Sequence, residues 1–288
     1  MKNAIYFFSL IFILGMMSCG AGDTAASKAN AAADKAKDMA KDVASKTAAT
    51  SQPSATSQPA KAMNFPPLFK KILDAHGGLD TWNSMNTLKF TRGEGPGADM
   101  HVIDLKSRRS TNSVKGKYTL GNDGDKVWVS PHRDSFPGQS VRFMNNLFFY
   151  FVALPYVLAD PGVVYEDLGE KTVNGKKYAV LKTSFKAGVG DAPGDQYVLY
   201  ADAETHVIDF INYSVTYFNP ANSEKYSALQ FEWEDVNGLK FPSVAKSVKW
   251  ENGKLGAVAR ETKYTNFSYS KTRMDLSQFD VPAGAFTE

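Results

Sequence analysis

Turn-forming pairs set between apolar runs restrict what residues 87–270 can become. Asn122-Asp123-Gly124-Asp125, Asn174-Gly175, Asn237-Gly238 and Asn252-Gly253 all carry the chemistry of a tight hairpin. Such turns need positive φ at their central residues, which Asn and Gly tolerate best. The runs between them predict strands at 87–92, 99–107, 117–121, 126–130, 163–168, 177–185, 195–201, 206–218, 225–235, 239–250 and 256–270. In 206–218, Ile211, Tyr213, Val215 and Tyr217 share one face, while Asn212, Ser214 and Thr216 share the other. In 225–235, Leu229, Phe231 and Trp233 oppose Gln230, Glu232 and Glu234. This pattern predicts a large antiparallel sheet with one apolar and one polar face.

Two segments break the strand rhythm. Pro66 and Pro67 suit a first helical turn. Leu68, Phe69, Ile72 and Leu73 form its apolar face, and His76 followed by Gly77-Gly78 closes it. A short second turn from Leu79 to Met85 carries Trp82. From Met144 to Ala159 no residue is charged, and Pro155 interrupts the run. Sixteen residues are too few to cross a bilayer, which takes about 20. A helix apolar nearly all round is buried, so this one is expected against the apolar face of the sheet. The expected fold class is mainly β (α+β). It is a large curved antiparallel sheet, or incomplete β-barrel, with an N-terminal helix and a buried apolar helix covering the concave face.

The chain begins differently. Met1-Lys2-Asn3 precedes an apolar run to Met17, and then come Ser18 and Cys19, the one cysteine in 288 residues. A basic tip, a short apolar stretch and a small residue before the cut make a secretory signal. Leu14-Gly15-Met16-Met17-Ser18-Cys19 resembles the lipobox of bacterial lipoproteins, which implies a signal peptide over 1–18 and a lipid on Cys19. Residues 20–63 are rich in Ala, Ser, Thr, Lys and Asp, and contain no aromatic residue. With Cys19 at its head, 19–63 reads as a lipid-anchored tether, spanning on the order of 35–40 Å as a flexible chain. Gly20, where an Asp would signal inner-membrane retention, tilts the expected location to the outer membrane, on its periplasmic face.

The net charge of +3 comes from the first 63 residues. The expected domain, 64–288, holds 26 basic and 26 acidic residues. A neutral domain argues against nucleic-acid binding, which needs a clustered basic surface. Lys106-Ser107-Arg108-Arg109 reads as the exposed end of a strand.

Several stretches carry a family resemblance. Ala75-His76-Gly77-Gly78 with Trp82, Trp128-Val129-Ser130-Pro131, the run Ala153 to Gly162 and the run Asp195 to Asp202 resemble a Bacteroidetes lipoprotein family of unassigned function. Asn266-Phe267-Ser268 and Phe279-Asp280-Val281-Pro282 are similar to the last strand and tail of the LolA/LolB superfamily. That resemblance implies an incomplete barrel with a helical lid over an apolar cavity that holds acyl chains. Burying an acyl chain yields about 0.8 kcal/mol per CH₂ and requires no directional groups. Residues 64–288 contain 32 aromatic side chains, about 14% of the segment. The candidate wall residues are Phe148, Phe151, Leu154, Tyr156, Tyr213, Tyr217, Phe231 and Trp233; ordinary core packing is the competing role for each.

Catalytic signatures are missing: there is no Gly-x-Ser-x-Gly, no His-Glu-x-x-His and no P-loop. His76 reads as a helix cap. Asp99 and His101 would share a strand face with Asp104 opposite, which spoils a three-ligand metal site. The most enzyme-like group is Ser130-Pro131-His132-Arg133-Asp134, where His132 could act as a base oriented by Asp134. Gly188 to Gly194 reads as a loop at the sheet's rim, with Asp191 and Asp195 as possible calcium ligands. The reading is a monomeric, non-catalytic lipoprotein without cofactor or metal. It is joined to a membrane through Cys19 and binds a hydrophobic small molecule or lipid. The alternatives are a periplasmic hydrolase using His132 and Asp134, or a protein-interaction module with a fully packed core.

Overall fold

The structure, a computed structural model, describes residues 64–288. The expected signal segment, Cys19 and the tether lie outside the described residues. The chain opens with helices α1 (Pro67–Ala75) and α2 (Leu79–Asn83). Leu68, Phe69, Ile72 and Leu73 are the buried face of α1, as their spacing requires. A meander follows, β1 (Thr87–Arg92), β2 (Asp99–Asp104), β3 (Ser110–Val114), β4 (Tyr118–Asn122) and β5 (Val127–Ser130). Helix α3 (Val141–Val152) separates it from a second meander, β6 (Val163–Val173) to β12 (Lys254–Ser270), and β13 (Phe286–Thr287) ends the chain.

Within the second meander lie β7 (Lys176–Phe185), β8 (Tyr197–Asp202), β9 (Ile208–Tyr213), β10 (Ser227–Val236) and β11 (Leu239–Glu251). The thirteen strands form one open antiparallel sheet, in the order β13-β5-β4-β3-β2-β1-β12-β11-β10-β9-β8-β7-β6. Pairing of β1 with β12 joins the two meanders, and β13 and β6 are the edges. The Asn-Gly turns form as expected: Asn174, Asn237 and Asn252, and the glycines after them, all have positive φ. The main core packs α1, α2 and the C-terminal half of α3 against one face of the sheet. A smaller core seats the start of α3 (Val141, Met144) on Leu120, Val127 and Val129.

Three expectations need correction. Residues 206–218 are not one strand, because β9 ends at Tyr213. Ser214 Oγ accepts from the Gln196 amide, and Asp195 takes both the amide and hydroxyl of Thr216, so the chain turns away from the ladder. Strand β3, Ser-Thr-Asn-Ser-Val, went unrecognised because it has almost no apolar alternation; pairing with β2 and β4 holds it. The polar face of the sheet is not uniformly polar either. Val173, Tyr178, Val180, Val198, Tyr200 and Phe210 form a second buried cluster there. Strands β7 and β8 are apolar on both faces, and such runs lose the period of two.

Candidate functional site: the covered inner face

Helix α3 covers the inner face of the sheet. Ser140 caps it, accepting from the Phe143 amide at 3.2 Å. The turn after it carries Leu154 and Tyr156 into the core. Of the expected wall residues, Phe151, Leu154, Tyr156 and Phe231 are buried in the main core, and Phe148, Tyr213 and Trp233 are half-buried against it. Phe151 meets Tyr213 edge-on at 5.0 Å, and Phe231 lies 5.1 Å from Trp233. Tyr217 is the exception. It sits in the loop after β9, with its hydroxyl 3.0 Å from Ser140 Oγ and its ring 5.3 Å from Phe143. It therefore stands at the N-terminal end of α3.

Polar contacts hold α3 at its ends and along one flank. The Glu288 carboxylate accepts from the Val141 amide and the Ser140 hydroxyl, both at 2.8 Å. Asp191 accepts from Asn146 at 2.9 Å and lies 3.7 Å from Arg142. Beyond the C-terminal end, Arg108 Nη2 donates to both Asp160 oxygens at 2.9 Å, with its guanidinium 5.1 Å from the Phe149 ring. Asn112 donates to the backbone carbonyl of Asn145, whose amide donates to Ser110 Oγ at 2.8 Å.

Next to that last contact lies a buried polar group. His101 is fully buried, stacked on Phe90 at 4.4 Å, and bonded through Nε2 to Asp99 Oδ2 at 2.8 Å. Burial lowers the His101 pKa and outweighs the pull of Asp99, so the ring is neutral, donates from Nε2 and accepts at Nδ1. Burial pushes the Asp99 carboxyl up, but His101 and Arg92 outweigh it and hold the pKa below the usual value. Arg92 pairs with Asp99 at 3.0 Å and covers the Phe148 ring at 3.7 Å. His101 Nδ1, Asn112 Oδ1 and Asn145 Oδ1 have no partner. His101 and Asn112 are cross-strand neighbours on β2 and β3. Asp99 and His101 share a strand face, as their spacing requires, whereas Asn112 and Asn145 carry no motif and give no signal in the sequence.

The motif residues have structural roles. Gly77, at φ +107°, passes so close to the β10–β11 turn that a Cβ there would lie 1.9 Å from the Gly238 carbonyl oxygen. His76 closes α1, its Nδ1 bonded to the Ile72 carbonyl at 2.8 Å. Its own carbonyl accepts from the Lys240 amide and the Tyr156 hydroxyl. Tyr156 stacks on Trp82 at 4.6 Å. The Trp128 indole packs over Gly121 and donates to the Phe279 carbonyl at 3.0 Å, which docks the tail on β5.

His132 and Asp134 do not form a dyad. Both are exposed on the loop after β5, and neither bonds the other. Asp191 and Asp195 do not converge on a cation position: one is bound to α3 and the other to Thr216. Among the described residues no cluster of three or more His, Cys, Asp or Glu could hold a metal, and no helix is long and apolar enough to cross a membrane.

The model of a family described as "Family of unknown function (DUF6503)" matches residues 138–260, from the start of α3 into β12. No curated protein matches the chain. Among solved structures, the chain is similar to a DUF1329 family protein from Desulfovibrio piger, at 13% identity and a TM-score of 0.43, over 75% of this chain and 98% of that one. It is similar to a LolA superfamily protein from Nitrosomonas europaea at 9% identity and a TM-score of 0.42, over 73% and 96%. A putative outer membrane lipoprotein-sorting protein domain from Vibrio parahaemolyticus gives 11% identity and a TM-score of 0.33, over 70% and 96%.

Proposed function

We propose that this is a membrane-anchored, non-catalytic envelope lipoprotein whose domain holds a lipid or acyl chain between α3 and the inner face of the sheet. One observation carries the reading. The apolar inner face is covered by α1, α2 and α3, and α3 is held from outside the core by side-chain contacts at its N-terminal end and along one flank. A cover of this kind can lift without breaking the sheet's ladder. The aromatic residues beneath it offer apolar area with few directional groups, which is what an acyl chain needs. The lipobox-like segment ending at Cys19 supports the anchor, and an anchored binder suits a resident receiver better than a soluble shuttle.

The test is to purify the full chain from membranes and analyse its organic extract by mass spectrometry, then titrate it with a fluorescent fatty acid. Co-purified lipid and saturable uptake are expected. An empty extract together with no uptake would refute the ligand. Labelled palmitate that still enters a Cys19→Ala variant would refute the anchor.

A further inference from the structure

The convex face carries an apolar cluster with a pocket beside it. Tyr200 stacks on Phe210 at 4.1 Å, and Trp250 lies 5.7 Å from both rings. Trp250 belongs to β11, which β10 separates from β9 in the sheet, so the β11–β12 hairpin bends its tip over the convex surface. Asn174 in the β6–β7 turn donates to the Leu255 carbonyl at 2.8 Å and holds the tip there. Between the tip and the sheet is a pocket of about 290 Å³.

The lining of this pocket is chemically mixed. Trp250 and Tyr226 are half-buried and present ring surface. Asn212 lines the floor, is 3% exposed, and its Oδ1 has no hydrogen-bond partner. Glu166, Lys171 and Lys182 stand around it and form no ion pair with one another or with any other described residue. Three charged groups and an amide are a poor wall for an acyl chain, since each would lose its water without a partner. Glu166 opposes a small anion, and the two lysines oppose a cation.

What fits is a ligand with an apolar face for the rings and a rim that both donates and accepts. A pyranose has that form: axial C–H groups stack on aromatic faces, while hydroxyls donate to Glu166 and Asn212 and accept from Lys171 and Lys182. The volume falls just below the range for drug-sized ligand pockets, roughly 300–1,000 Å³, which suits a ligand as small as one or two sugar rings. We propose that this convex pocket is a carbohydrate-binding site, separate from the covered inner face.

The experiment is an NMR titration of the ¹⁵N-labelled full chain with N-acetylglucosamine, cellobiose and maltose, read at the Trp250 indole and at the Lys182, Val198 and Asn212 amides. Saturable shifts confined to these signals are expected for at least one sugar, with a Kd of about 1 mM or tighter. Trp250→Ala should weaken binding at least about tenfold, and the exposed-side variant Lys171→Ala about threefold, with inner-face signals unchanged. If Trp250→Ala does not fold, Tyr226→Ala takes its place. No saturable shift with any of the three sugars, shifts on the inner face instead, or undiminished binding by the folded aromatic variant would each overturn the proposal. Fatty-acid uptake by these variants should stay at the wild-type level, so a failure here is distinct from a failure of the lipid reading.

Discussion

The carboxylate of Glu288 accepts from the backbone amide of Val141 at 2.8 Å, so the last strand's tail caps the first turn of α3. The same carboxylate accepts from Ser140 Oγ, the residue that already caps the helix. An anion at a helix N-terminus satisfies orphan amides and meets the positive end of the helix dipole. Glu288→Ala is therefore expected to cost about 1 kcal/mol in urea denaturation. It should also raise hydrogen exchange at the amides of 141–144. Unchanged exchange there would show that the cap does not steady the helix.

Asp191 is the second holding point for α3, and it is exposed. Exposed pairs contribute little, so Asp191→Ala should lower stability by less than about 1 kcal/mol. If α3 lifts to admit ligand, the variant should take up a fluorescent fatty acid about threefold faster in stopped flow, which corresponds to a barrier lowered by about 0.65 kcal/mol. An unaltered uptake rate would place the ligand's entry elsewhere.

Leu154 and Tyr213 should separate packing from binding. Leu154 is 1% exposed in the main core, so Leu154→Ala should cost about 2–5 kcal/mol. Tyr213 is half-buried at the edge of that core and faces Phe151. Tyr213→Ala should cost less stability and lose more fatty-acid affinity. Thermal melts and equilibrium titration read the two effects, and equal losses of affinity in both variants would reject the division.

Gly77 should be the least replaceable residue of the α1 stop. Positive φ and the approach to Gly238 both exclude a side chain. Gly77→Ala is expected to destabilise by at least about 2 kcal/mol, more than Gly78→Ala, which at φ +87° carries the backbone strain but has open space around it. Urea midpoints of the two variants test this, and similar midpoints would contradict it.

Stability should also fall in mild acid. Burial lowers the His76 pKa from 6.5 to about 4, and the His101 pKa moves in the same direction. Above pH 6.5 both rings are neutral in the folded and unfolded chain, so they add no pH dependence. As pH falls from 6.5 towards 4, the unfolded chain gains protons that the fold refuses, and stability is lost. For His76 the loss approaches about 3 kcal/mol. Urea midpoints of the wild type and His76→Gln, followed from pH 7 to 4.5, should converge. Parallel curves would show that His76 does not contribute.

The hairpins were legible because their signals are local. Asn174-Gly175, Asn237-Gly238 and Asn252-Gly253 adopt the left-handed turn for the reason that makes them recognisable, low strain at positive φ. The apolar face of α1 and the burial of the run after Met144 follow from spacing and from the absence of charge. The site was less legible. Phe151, Leu154, Tyr156 and Phe231 could be named as inward-facing, but Tyr217 could not be separated from them. Its position depends on Asp195 holding Thr216 across two strands.

By itself, the sequence determined a chain of antiparallel hairpins with a helical start and one segment obliged to leave water. Periodicity, turn chemistry and hydrophobicity act within about ten residues and need no partner. Tertiary structure alone decided that Glu288 caps α3, that His101 and Asn112 become buried neighbours across β2 and β3, and that Trp250 reaches over the convex face to Tyr200. Those contacts join residues far apart in the chain, or face each other across strands. Their energy comes from burial and hydrogen bonds that exist only after the sheet has curved and α3 has docked.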